Sequence, residues 1–220
     1  MKTQEYASQN DMKLNYKKTK IMVFNPCRNI DFMPEVNIDD HYLEVVDEIR
    51  LLGIIIRSDM KWVSNTANMV QKANKRLWIL RRLKNLGAKD IDLVEIFIKQ
   101  IRSVLELAVP AWQGGISQAE KQDLERIQKC ACHIILRTEC QSYRSAIQTL
   151  NLETLEARRI KLTVKFGLKS EKNTKFQKWF KPTTKVYNTR LEQLRYRTVK
   201  AMHTRFSNSP MSYLTNLLNK

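Results

Sequence analysis

Four soft side chains fall close together near residue 130: Cys130, Cys132, His133 and Cys140. Thiolates and imidazole are the ligands zinc prefers, so the group invites a metal reading. Its spacing argues the other way. Cys-x-Cys-His-x6-Cys lacks the usual two-to-four-residue gap between paired cysteines, and on a helix Cys130 and Cys132 project to nearly opposite sides. Small packing residues and a surface His are the better account. A second set of groups is cationic. LNYKKTK (14–20) crowds three lysines into one short loop, and Lys72, Lys75, Arg76 and Arg82 recur at helical spacing. Ammonium and guanidinium groups at such density displace the counterions of a phosphate chain, although a charge run is more often a solvated face. Trp78 sits among the second group. Its size favours packing against a neighbouring helix over stacking on a base. Glu106 and Glu125 stand alone on amphipathic stretches, where ion pairing suits them better than catalysis. No Ser/His/Asp triad, Walker loop or dinucleotide fingerprint is present.

The elements that must carry these groups are mostly helices. Residues up to about 10 are polar and helix-compatible. Lys20 to Asn25 is β-prone and closes at Pro26. Residues 42–46 and 49–57 are rich in Val, Ile and Leu and predict two strands with a tight turn near Asp47 and Glu48. Alone, LLGIII (51–56) predicts a buried strand whose Gly permits close backbone approach. From Thr66 the apolar period turns helical. Met69, Val70, Ala73, Leu77 and Leu80 form one face, and Gly87 is a stop. Asp90 is a candidate N-cap for a second helix that Pro110 ends. Ser117 and Glu120 have capping-box spacing for a third. Residues 143–150 and 153–170 predict two more. No internal repeat occurs.

Composition narrows the partner. The 220 residues carry a net charge of +17, and only five Gly and five Pro favour helices over a turn-rich sandwich. Residues 1–154 hold 23 Lys and Arg against 19 Asp and Glu, whereas residues 155–220 hold 16 against 3. That asymmetry points to a polyanion. A membrane fits less well, because no apolar run approaches the ~20 residues of a spanning helix, and the N-terminus has no secretory signal pattern. The cysteines have no disulfide-framework spacing, so a reduced nuclear or cytoplasmic compartment is expected.

Three strings add a resemblance. LNYKKTKIMVF (14–24) resembles the segment after the catalytic aspartate pair in the palm of non-LTR (LINE-type) retrotransposon reverse transcriptases. IRSVLELAVPAW (101–112) and LERIQKCACHIIL (124–136) resemble the thumb of that family. RFSNSPMSYLTNLLN (205–219) is similar to the terminal segment of its CR1 and jockey-like branch, through Ser209, Pro210, Tyr213 and Leu214. The resemblance implies roles for several residues. Asn15, Lys18 and Thr19 match an Asn-x-x-Lys-Thr pattern, which would put Lys18 near the triphosphate of an incoming nucleotide, with Asn15 and Lys20 beside it. Leu52 and Gly53 match an aromatic-Leu-Gly hairpin that forms a primer-grip-like element, with Leu51 in place of the aromatic. DMKW (59–62) resembles the entry to the thumb, with Asn65 where a His is common. The helix bearing Lys72, Lys75, Arg76 and Arg82 would track a template–primer backbone through phosphates and sugars.

The family's Tyr-x-Asp-Asp box belongs shortly before Leu14, and this chain contains none. The expectation is a C-terminal fragment whose N-terminus is truncated, inactive alone, with RNA and DNA as partners and the missing polymerase half as another. The Mg²⁺ of the intact family enzyme would have no seat here, and no cofactor is expected. The alternative is a non-enzymatic nucleic-acid-binding protein or an inert remnant. The expected fold is mainly α: a helical thumb-like bundle with a small antiparallel β element near the N-terminus. The expected divisions are 1–60 (palm remnant and hairpin), 61–140 (thumb) and 141–220 (connector and basic C-terminal region).

Overall fold

The computed structural model describes residues 2–24, 35–38, 41–137, 142–182, 196–198 and 204–219. The chain divides into two compact units, Met1–Ser64 and Asn65–Lys220. The architecture is mainly helical, and among the described residues the strands fall in the first unit.

In the first unit, α1 (Lys2–Gln9) precedes six short strands: β1 (Lys20–Ile21), β2 (Asn37–Ile38), β3 (His41–Tyr42), β4 (Glu44–Val45), β5 (Glu48–Leu51) and β6 (Ile54–Arg57). The expected antiparallel element is present as β5 and β6, with Glu48 opposite Arg57 and Leu51 opposite Ile54. Its turn lies five residues beyond the expected place. Leu52 and Gly53 both take positive φ, 48° and 94°, as a two-residue type I′ hairpin turn requires. Asp47 sits at the open end instead, where its carbonyl accepts from Ser58 N at 2.8 Å and its carboxylate from Ser58 Oγ at 3.0 Å. Residues 44–45, expected as the partner strand, pair in parallel with β1. LLGIII is thus a hairpin tip and its return strand, with Leu52 93% exposed, and not one buried strand.

The second unit is helical, and its first helix, α2 (Val63–Asn85), starts just before it. The buried stripe of α2 is Met69, Ala73, Leu77 and Leu80, at the spacing the sequence predicts. Each fully buried Leu of this kind contributes roughly 1.5–3 kcal/mol. Then come α3 (Asp90–Ile96), a π-helical segment (Phe97–Arg102) and α4 (Ser103–Leu105). Asp90 does not cap α3. Lys89 occupies that position without a side-chain cap, and the Asp90 carboxylate takes Lys84 Nζ at 2.6 Å. The second helix ends at Leu105, and left-handed Ala108 turns the chain into α5 (Val109–Trp112), so Pro110, expected to end a helix, lies in the first turn of the next. The 3₁₀ turn Gln113–Gly115 follows.

The third expected helix is α6 (Gln118–Leu136), capped as predicted. Ser117 Oγ accepts from Glu120 N at 3.3 Å, and Glu120 Oε2 accepts from Ser117 N at 2.8 Å. Glu120 also accepts from Thr66 Oγ1 at 3.1 Å, near the start of α2. Arg137 Nη2 donates to Asn85 Oδ1 at 2.6 Å, at the other end. Start meets start and end meets end. The two helices therefore run parallel over ~28 Å and ~26 Å of rise.

Behind them lie α7 (Tyr143–Thr149) and α8 (Leu155–Glu171). Glu125 Oε1 accepts from the Tyr143 hydroxyl and from Leu155 N, tying α6, α7 and α8 together. Burial and that carboxylate push the Tyr143 phenol well above its ordinary pKa, so it remains a donor. Glu106 takes Arg158 at 2.7 Å and Arg102 at 3.4 Å. It is the ion-pair partner the sequence predicts, whereas Glu125 is a hydrogen-bond hub. Arg159 is fully buried: its Nε donates to Gln113 Oε1 at 2.8 Å, while Nη1, Nη2 and Gln113 Nε2 find no partner among the described residues.

A 3₁₀ turn (Gln177–Trp179), the one-turn α9 (Thr204–Ser207) and α10 (Pro210–Leu218) complete the described elements. Two glycines let α10 seat closely. A Cβ on Gly167 would lie 2.6 Å from Leu214 Cδ1, and one on Gly114 would lie 2.7 Å from Tyr213 Cβ.

Candidate nucleic-acid interface

Helix α2 carries six Lys and Arg and no carboxylate over 23 residues. Opposite its buried stripe, Lys75, Trp78, Arg81 and Arg82 are exposed. At 100° per residue, positions 75, 78 and 82 stack along one line and 81 lies beside them. Among the described residues none of these three cations is in an ion pair.

Trp78 departs from expectation. It is 62% exposed. The apolar stripe of α2 is already filled by Leu77 and Leu80 with Ala73 between their turns, and one residue beyond Leu77 the helix points away from the core. The indole stands among free cations, with a face open to stacking. Arg81 was missed by the sequence reading. Its signal was available: it stands three residues beyond Trp78, on the same face.

The other predicted cations divide. Lys75 and Arg82 are on the open face, and Lys72 is half-buried at its border. Arg76 is committed elsewhere. Its Nη1 donates to the Gln100 carbonyl within the π-helical segment, where a change of helical register frees backbone acceptors. Arg76 braces α2 with one of its five N–H donors.

In the first unit the loop residues also have separate jobs. Asn15 organises a turn: its carboxamide accepts from Lys18 N at 3.2 Å, and its carbonyl accepts from Thr19 Oγ1 at 2.8 Å. Lys20 is ion-paired with Glu44. Lys18 is exposed on the turn that Asn15 shapes. Leu52 and Gly53 are the hairpin tip described above.

The sulfur cluster does not assemble among the described residues. Cys132 is buried, Cys130 half-buried and His133 exposed on the same helix. Cys140 lies outside the described residues. No group of three His, Cys, Asp or Glu among the described residues is placed to hold a metal ion. No described helix is long and apolar enough to cross a membrane. No family model, curated protein or solved structure matches this chain.

Proposed function

We propose that the chain is the thumb-bearing C-terminal part of a non-LTR retrotransposon reverse transcriptase, and that α2 grips the backbone of an RNA–DNA template–primer. The observation that carries this is the acid-free helix whose exposed face aligns Lys75, Trp78, Arg81 and Arg82. Long cations at helical spacing suit sequence-independent contact with phosphates and sugars. The indole among them suits a sugar or an end base. The exposed leucine tip of the β5–β6 hairpin supports the primer-grip-like role of Leu52 and Gly53. Nucleotidyl transfer is assigned to no residue here. The resemblance places the family's Mg²⁺ on the Tyr-x-Asp-Asp box, which this sequence lacks. The same lack of a Tyr-x-Asp-Asp box favours a second reading, a binding protein without enzymatic activity. An in-frame aspartate box in the genomic sequence directly upstream would decide for the first.

The face itself is tested by the K75Q/R81Q/R82Q variant. Surface changes cost within about 0.5 kcal/mol each, so folding should survive. Affinity for an RNA–DNA hybrid should fall alike for every sequence, and the salt slope should shrink by up to about three units. The control removes three cations from α6, as K121Q/R126Q/K129Q. Equal loss in both variants would mean general charge loss and a wrongly assigned face.

A further inference from the structure

The basic C-terminal region contains a groove of about 1050 Å³. That is at the upper end of drug-sized ligand pockets, which reach roughly 1,000 Å³. Lys178, Lys181 and Arg197 line it, together with Trp179, Phe206 and the Asn216 carboxamide. Among the described residues no lining residue is acidic. None of the three cations is ion-paired among the described residues. The two aromatics are not spent on the core, being 43% and 50% exposed.

The walls are built rather than accidental. Phe180, Tyr196 and Leu214 form a small buried cluster beneath them, with Phe176 and Leu218 packed against it. Asn219 clamps the backbone of Tyr196 at both ends, accepting from its N at 2.8 Å and donating to its O at 2.9 Å. Arg197 N donates to Lys181 O at 2.9 Å, which joins the two strands of chain that carry the cations. Phe176 sits 4.6 Å from Trp179, centroid to centroid, and props the indole from one side. The inner turns of α10 supply Asn216 and two hydroxyls.

We propose that this groove binds unpaired nucleotides: bases stack on Trp179 and Phe206, and the connecting phosphates meet Lys178, Lys181 and Arg197. Three features select that occupant. The cations alone would accept any polyanion. Open aromatic faces between them require flat partners, which acidic peptides and lipid headgroups lack. A duplex hides its base faces in its own stack, so the strand must be single. The volume suits a short stretch and not a lone ring. Amide and hydroxyl groups on the wall add partners for base or sugar edges without demanding one sequence. None of the described lining residues belongs to α2, and neither assignment depends on the other.

The test uses the full chain with an oligouridylate of eight residues and, separately, a blunt RNA–DNA hybrid. Replacing both rings (W179A/F206A) should weaken oligouridylate binding about tenfold or more, while hybrid affinity stays within twofold. W179F/F206Y keeps two rings and should restore binding, which separates stacking from damage to the fold. K178Q/K181Q/R197Q should reduce the single-strand salt slope by about two units. The α2 variant K75Q/R81Q/R82Q should leave oligouridylate affinity within twofold. Undiminished oligouridylate binding by W179A/F206A would overturn the proposal. So would displacement of oligouridylate by polyglutamate or by phosphatidylserine vesicles at matched charge, since either would make charge alone the determinant.

Discussion

Arg159 shows how a single residue can set the cost of a core. Its guanidinium is sealed from solvent with one hydrogen bond, to Gln113, and two unpartnered nitrogens. Burial holds its pKa below the ordinary arginine value, opposed by Glu125, Glu156, Tyr213 and Glu106 nearby. Removing the charge alone, as R159M, strands the Gln113 side chain and should cost about 1–3 kcal/mol. Replacing both groups, as R159M/Q113L, removes every orphaned atom of the pair. That variant should melt at or above the parent, because well-packed apolar replacements of buried charges are often neutral or stabilising by about 1–4 kcal/mol. Thermal unfolding of the two variants decides it. A double variant less stable than the parent would show that the nearby carboxylates outweigh desolvation.

At the scale of elements, the segment that follows β6 in the first unit is braced by the Arg57–Asp59 ion pair. Arg57 Nε and Nη2 donate to the two oxygens of Asp59 at 3.0 and 3.2 Å, and Asp59 Oδ1 accepts from Lys61 N at 3.0 Å. The Arg57 hydrogen bond holds the Asp59 carboxyl below the usual carboxylate range. A carboxyl lowered in the folded state stabilises it fully above the ordinary pKa. That contribution disappears as pH falls through the lowered value. Acid titration of the first unit should therefore lose stability from about pH 4 downward. The D59N variant should lose the part of that slope owed to this pair; an unchanged acid transition would exclude Asp59 from it. Such braces are only partly legible in a sequence. The Ser117–Glu120 cap was readable because its partners are three residues apart. The turn at Leu52–Gly53 was not, because Leu is a poor residue for positive φ, and the competing β1–β4 pairing joins residues 24 apart. The π-helical segment was hidden for a similar reason. No local signal marks it, and its buried Phe97 and Ile101 keep the spacing of an ordinary helix. Trp78 was misplaced because average burial says nothing about a stripe already filled.

Across the whole molecule, the second unit depends on a partnership that is remote in sequence. α2 and α6 are joined at both ends, through Thr66–Glu120 and Asn85–Arg137, yet α3, the π-helical segment, α4 and α5 lie between them. A chain ending after Gly115 keeps α2 and loses α6. It also loses both end contacts of α2 and the buried residues of α6 and α8. That truncation should retain some helical dichroism, bind hydrophobic dye and melt without a cooperative transition. A sigmoidal melt at the parent midpoint would show that α2 needs no such partner. The parallel pairing also imposes a schedule on synthesis. At about 5–20 residues per second, the ribosome needs roughly 3–10 s after finishing α2 to deliver the end of α6. For that interval the nascent helix stands without either of its end contacts to α6, its apolar residues beside its row of cations, which makes it a natural client for chaperones before it is ever a binding surface.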